Sequence, residues 1–216
     1  MGPLNCPNNI STTQFMSSRT ILNETVSDAV KKLRERNYWK GSYFEEIVQL
    51  SNDERGKWGE QTLYKFIKAL TPYNVEWDED QNINNSDGVY DIWINRPDST
   101  KLRIEVKTAS RGTGKKSAWQ HENLYASEKW DKLVFIDFEY STIWFTILDY
   151  SEVTFDARHG IFGTKPTLRN DQNDKYKWDF RDKQVHLGVA NGYTFCYDVE
   201  NPDDEALSEF LTNKLA

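Results

Sequence analysis

Apolar side chains recur along the chain at two different periods, and each period marks a different kind of element. Val26, Ala29, Val30 and Leu33 follow three- and four-residue steps, which predicts a helix over 24–36. A shorter helix is expected over 42–50. Leu63, Phe66, Ile67 and Leu70 repeat as i, i+3, i+4, i+7, with Pro72 just beyond, so a third helix ends there. Glu60 falls on its apolar stripe, because positions 60, 63, 64 and 67 share one face. A carboxylate on a core-facing stripe is costly to bury unless a partner meets it. Exposed in the first turn, it would instead favour the helix dipole.

Past a polar stretch at 78–88 the period changes to two. Residues 89–95 (Val-Tyr-Asp-Ile-Trp-Ile-Asn) and 102–108 (Leu-Arg-Ile-Glu-Val-Lys-Thr) read as strands. The turn-like Arg96-Pro97-Asp98-Ser99-Thr100 joins them as a hairpin. Leu102, Ile104 and Val106 point one way; Arg103, Glu105 and Lys107 point the other, outward. A turn centred on Asp98 pairs residues whose numbers sum to 196, which sets Asp91 opposite Glu105. Their Cβ atoms would then lie about 4.5–5.5 Å apart. Two carboxylates so close repel, and a proton, a cation or Lys107 must neutralise them.

Ser117 and Gln120 form a capping-box pattern, which predicts a helix over 117–130. Short strands are expected over 133–138 and 143–148. The interval from 102–108 to 133–138 has the length of a right-handed crossover, so those two strands should be parallel. Strands over 184–190 and 193–199 flank Asn191-Gly192, a hairpin signal. A closing helix is expected over 202–215. The reading is an α/β (α+β mixed) fold: a central mixed sheet flanked by helices, with an added C-terminal hairpin region. It is one compact domain with three parts: an N-terminal segment with helices (1–50), a core (51–150), and a recognition and closing region (151–216).

Composition narrows the function. With 216 residues, 8 Trp, 11 Tyr and 11 Phe, the chain can build a sizeable core, and disorder throughout is excluded. No apolar run approaches a membrane span, and residues 1–10 are polar, so a cytoplasmic protein without a membrane partner is expected. Two cysteines and three histidines are a poor basis for a zinc site or a disulfide framework. His121, His159 and His186 form no ligand spacing. The net charge of −7 excludes binding of polyanions through bulk charge, so nucleic-acid contact would need a local patch. Lys101, Arg103, Lys107, Arg111, Lys115 and Lys116 supply one, suited to backbone phosphates. The loop after Arg111 lacks the Walker pattern. Asp78, Asp80 and Asn82 begin a calcium-loop pattern, but Ile83 stands where its glycine belongs.

Glu105-Val106-Lys107 is the one acid-x-Lys triplet in the chain. It lies on a predicted strand, opposite Asp91, after a helix bearing Glu60. This order resembles the PD-(D/E)xK nuclease superfamily, whose best-known members are the type II restriction endonucleases. The family core is a helix, a three-stranded meander, a crossover helix and another strand. The resemblance covers residues 53–138, with two of the meander strands legible.

The resemblance implies that Asp91 is the first acid of the motif, Glu105 the second, Lys107 the lysine and Glu60 the added helix glutamate. Asp91, Glu105, Glu60 and the Val106 carbonyl would hold Mg²⁺, with Mn²⁺ as a substitute. Lys107 would orient the attacking water, stabilise charge or act as base. The implied activity is Mg²⁺-dependent hydrolysis of double-stranded DNA, sequence-specific and of the restriction type. A homodimer would cut both strands, and a separate DNA methyltransferase would be the cognate partner. Alternatives on the same core are a structure-specific or repair nuclease and an inactive DNA-binding module. DNA contacts are expected from Arg103, Arg111, Lys115, Lys116 and Gln120. Further contacts are expected from a region rich in Arg, Lys and aromatics over 155–199, including Arg169, Gln172, Asn173, Lys175 and Lys177.

Overall fold

The computed structural model describes residues 17–20, 22–23, 39–78, 90–112, 118–126, 130–153, 155, 160–169 and 175–216. The helix expected over 24–36 lies outside them, as do Lys115, Lys116, His159, Gln172 and Asn173. Helix α1 (Asn52–Leu70) begins at a capping box in which the Ser51 hydroxyl accepts from the Glu54 N–H and the Glu54 carboxylate accepts from the Ser51 N–H. The strands are β1 (Asn74–Trp77), β2 (Ile92–Asn95), β3 (Lys101–Ser110), β4 (Trp119–Tyr125), β5 (Lys132–Glu139), β6 (Thr142–Asp149), β7 (Thr167–Leu168), β8 (Lys175–Phe180) and β9 (Thr194–Asp198). Helix α2 (Asp182–Ala190) precedes β9, and α3 (Asp204–Lys214) follows it.

Six strands form a mixed sheet in the order β1-β2-β3-β5-β6-β9. β3 and β5 run parallel, and the other neighbours in it are antiparallel. The hairpin register is the expected one: Ile92 faces Ile104 and Ile94 faces Leu102. Helices α1 and α3 cover one face, where Leu102, Ile104 and Val106 pack with Phe66, Ile67 and Leu207. A second sheet, in the order β4-β8-β7, covers the other face together with α2. There Leu133 and Phe135 of β5 meet Trp119, Trp178, Phe180 and Val185. The fold is therefore α+β, with a central mixed sheet flanked by helices.

Four expectations are corrected. The described residues of 117–130 do not form a crossover helix. Residues 119–125 are strand β4, with Trp119, His121 and Leu124 buried and a register shift between His121 and Leu124. Asn123 adopts φ +56° at that bulge, which breaks the alternation that would have marked a strand. Residues 184–190 are helical rather than extended. Asn191-Gly192 ends α2 in a Schellman motif, with the Tyr193 N–H bonded to the Gly188 carbonyl (2.8 Å) and the Gly192 N–H to the Val189 carbonyl (3.0 Å). Gly192 takes φ +71°, the left-handed geometry that hairpin turns and helix ends both require. Residues 42–50 are turns with one 3₁₀ turn at Ile47–Gln49. Finally, the polar side of β3 is not uniformly exposed: Glu105 is 6% exposed and ion-paired with Lys107.

The sheets are tied by a buried pair. His121 Nε2 lies 2.6 Å from Asp137 Oδ1, and both side chains are wholly buried. The other ring nitrogen, Nδ1, lies 3.0 Å from the Trp178 carbonyl, so it is the N–H donor.

Two interactions fix β3. At its N-terminal half Arg103 makes a bidentate pair with Asp131 (2.9 and 3.0 Å), which also accepts from the Arg103 N–H (2.8 Å). Near its other end Gly59 of α1 lies against Thr108. A Cβ at residue 59 would overlap the Thr108 hydroxyl and lie 2.8 Å from its Cβ. Gly59→Ala is expected to cost about 1–3 kcal/mol in urea melts, and Thr108→Ala to recover part of it. Burial pushes the Asp131 carboxyl up, but the Arg103 guanidinium and N–H outweigh it and hold it below its ordinary value. The resulting stability is present above the unfolded pKa near 4 and is lost as pH falls through the folded value. Both partners are 35% exposed, so Asp131→Asn should cost only about 0.5–1 kcal/mol at pH 7. That deficit should shrink in melts as pH falls through the folded value.

Candidate active site

The residue just before β2, the middle of β3 and the first turns of α1 converge on one cleft of about 640 Å³. Glu60, Asp91, Val106 and Lys107 line it, with Arg55 and Lys57 on the helix side and Gln120, Glu122 and Asn123 of β4 as the opposite wall. On α1 the lining residues Asp53, Gly56 and Glu60 follow the three- and four-residue steps of one face, with Arg55 and Lys57 to either side of it. Glu60 is half-buried, and its Oε2 accepts from the Trp77 indole N–H at 3.2 Å. That donor is the partner a carboxylate on this stripe needs.

Asp91 sits where the β2–β3 ladder stops. Its N–H donates to the Ile104 carbonyl (3.0 Å), the partner of Ile92, so the regular pairing ends at Ile92–Ile104 and the expected Asp91–Glu105 pair is not part of it. Its carboxylate then takes over from the backbone: Oδ2 accepts the Val106 N–H at 2.8 Å. Glu105 lies behind the cleft lining, ion-paired to the Lys107 ammonium. The Lys107 charge also acts on Asp91, so one cation serves both acids.

Burial pushes the Asp91 carboxyl up. The Lys107 charge and the Val106 N–H draw it part of the way back, and Asp78 adds to the rise. In sequence Asp78 reads as the start of a polar stretch and of an incomplete calcium-loop pattern. Its N–H donates to the Asp91 carbonyl (3.2 Å), and its Oδ1 is buried with no hydrogen-bond partner among the described residues. Also among those residues, no three or more His, Cys, Asp or Glu side chains gather as a metal-holding group.

The remaining expected DNA-contacting residues are spread out. Gln120 is in the cleft wall. Arg103 is at the far end of β3, held by Asp131. Arg111 is ion-paired with Glu139 and Asp182, with its guanidinium 5.2 Å from the Trp119 ring centroid. Arg169, Lys175 and Lys177 belong to the second sheet. Arg169 pairs with Glu122 (2.8 Å), Lys177 with Asp179 (3.4 Å), and the Lys175 ammonium is 5.5 Å from the Tyr125 ring centroid. His121 and Asp137 are outside the cleft, in the core. No helix among the described residues is long and apolar enough to cross a membrane. Compared with known proteins, the chain matches no family model, no curated protein and no solved structure.

Proposed function

We propose that this protein is a Mg²⁺-dependent endonuclease of the PD-(D/E)xK type that hydrolyses double-stranded DNA at specific sequences, as a homodimer. The observation that carries this reading is the convergence of Asp91, Lys107 and Glu60 on one cleft, with Glu105 paired to Lys107 at the adjoining hairpin position. The order of elements supports it. Helix α1, the meander β1-β2-β3 and the parallel strand β5 follow the core of that superfamily, and β1 supplies the third meander strand. The crossover departs from it, being a strand of a second sheet.

The residues fit magnesium. Asp91, Glu105 and the Val106 carbonyl are hard oxygen donors, and Mg²⁺ takes one or two carboxylates and completes its shell with water and phosphate. Manganese suits the same donors. Bound there, the ion would polarise the scissile phosphate and lower the pKa of the attacking water. The rest is the chain's own work. Asp91 is fixed by the Val106 N–H, so its second oxygen has a defined direction. Lys107 places a cation beside the phosphate, where negative charge grows on hydrolysis, and holds Glu105 in position. Glu60, steadied by Trp77, keeps a water in the cleft. Arg55 and Lys57 face the backbone of the bound strand.

Incubation with unmethylated phage DNA and Mg²⁺ should give discrete fragments. EDTA should remove them. A smear would retain the nuclease and remove the sequence specificity, and cutting only at nicks or junctions would point to repair. Asp91→Ala, Glu105→Ala and Lys107→Ala should each lower cleavage by at least about 10²-fold with the circular dichroism spectrum unchanged. Full activity in any of them would sink its assignment. Lys115→Ala with Lys116→Ala should weaken DNA binding and flatten its salt dependence.

Asp91→Asn carries an opposite expectation for stability. A carboxyl raised in the folded state costs folding energy once pH exceeds its unfolded pKa, and at neutral pH that cost is present. Without metal at pH 7, Asp91→Asn should raise Tm by about 2–4 °C while abolishing cleavage.

A further inference from the structure

Strands β4 and β8 turn polar side chains to the outward face of the second sheet. On β8 Trp178 and Phe180 turn inward, so Lys177 and Asp179 turn out. On β4 Trp119 and His121 turn inward, so Gln120 and Glu122 turn out. Gln120 pairs directly with Asp179, and Lys177 with Thr167 of β7. Arg169, just past β7, reaches across β8 to Glu122. Gln120 and Glu122 are already part of the catalytic cleft wall.

At the other edge of this face lies a second cleft of about 500 Å³. Lys165, Lys177 and Arg181 line it, with Asp179 as the one acid, and Thr167 and Gln184 as neutral hydrogen-bonding groups. Three cations converge there on a chain whose net charge is −7. Arg181 is exposed and Lys165 half-buried. A concave site with this charge balance suits an anion, and neighbouring strands stand about 4.7–4.9 Å apart. The cleft therefore begins at β8, one strand spacing from β4, and extends to β7, two spacings away.

We infer that this second cleft is a backbone-phosphate subsite, and that DNA runs from the catalytic cleft across the outward face of β4 and β8 to Lys165 and Arg181. The inference rests on the nuclease reading and adds to it a binding region separate from the catalytic carboxylates. Phosphates there position the duplex, with Gln120 of the first cleft and Lys177 of the second along its path.

The test is fluorescence anisotropy of a labelled duplex with the full chain in EDTA, at salt from about 25 to 200 mM. Lys165→Ala with Arg181→Ala should weaken binding at least about tenfold at 0.1 M salt. The slope of log K against log salt should fall by about 1.8, or 0.9 for each phosphate that is no longer neutralised. Lys183→Ala, an exposed cation on α2 outside the cleft lining, should leave both unchanged. Wild-type affinity and slope in that double variant would overturn the inference while leaving the nuclease reading standing. Equal weakening by Lys183→Ala would overturn it as well, since bulk charge would then account for the effect. Absence of DNA binding and cleavage by the wild-type protein would overturn both readings.

Discussion

Strand β3 has to satisfy two opposed environments, and the rest of the molecule is arranged around that constraint. Its even-numbered residues from Leu102 to Val106 are packed under helices, while Arg103, Glu105 and Lys107 lie on the side covered by the second sheet. Charged groups placed there cannot be left without partners. Each is met: Arg103 by Asp131, and Glu105 by Lys107. Asp91, at the hairpin's open end, replaces a missing ladder bond with its carboxylate on the Val106 N–H. The candidate active site is thus also the place where the polar strand face comes to the surface.

The elements legible in the sequence are those whose pattern has one reading. The register of β2 on β3 follows from strict alternation around a short Pro-Asp turn, and its last pair is Ile92–Ile104, one step short of Asp91. The stripe of α1, the apolar strands β5 and β6 and the stripe of α3 are equally unambiguous. The misread elements have patterns that two structures share. In α2, Val185, Leu187 and Val189 alternate like a strand. The helix instead buries Val185 and Gly188, three apart, and the glycine allows Thr194 to approach closely. In β4 the bulge at Asn123 shifts the inward positions to 119, 121 and 124, a spacing that matches neither period. Seven residues of weak pattern therefore concealed the second sheet, and with it one wall of the cleft.

Long-range chemistry was legible only where local spacing encoded it. Glu60 could be placed on the helix stripe, but its donor Trp77 is 17 residues away and comes from a strand of only 4 residues, too short to show a period. Asp78 shares that cause: its place beside Asp91 depends on the β1–β2 pairing. The basic residues divide in the same way. Clustering in sequence put Arg103 and Arg111 with the loop lysines, yet both are drawn into ion pairs by carboxylates from distant segments. Arg55 and Lys57, which line the cleft, stand apart from that cluster.

The second sheet has a consequence for how the protein is made. β4 ends at Tyr125 and its partner β8 begins at Lys175, so about 50 residues separate them. During synthesis from the N-terminus, the hairpin, β5 and β6 can pair while β4 still lacks its neighbour and Asp137 still waits for a histidine held in place by Trp178. Gln120 and Glu122 reach their final positions only when β8 has docked. Closure of the cleft therefore depends on β8, whereas Asp91 and Glu105 can be set in place by the hairpin and β5 before it arrives.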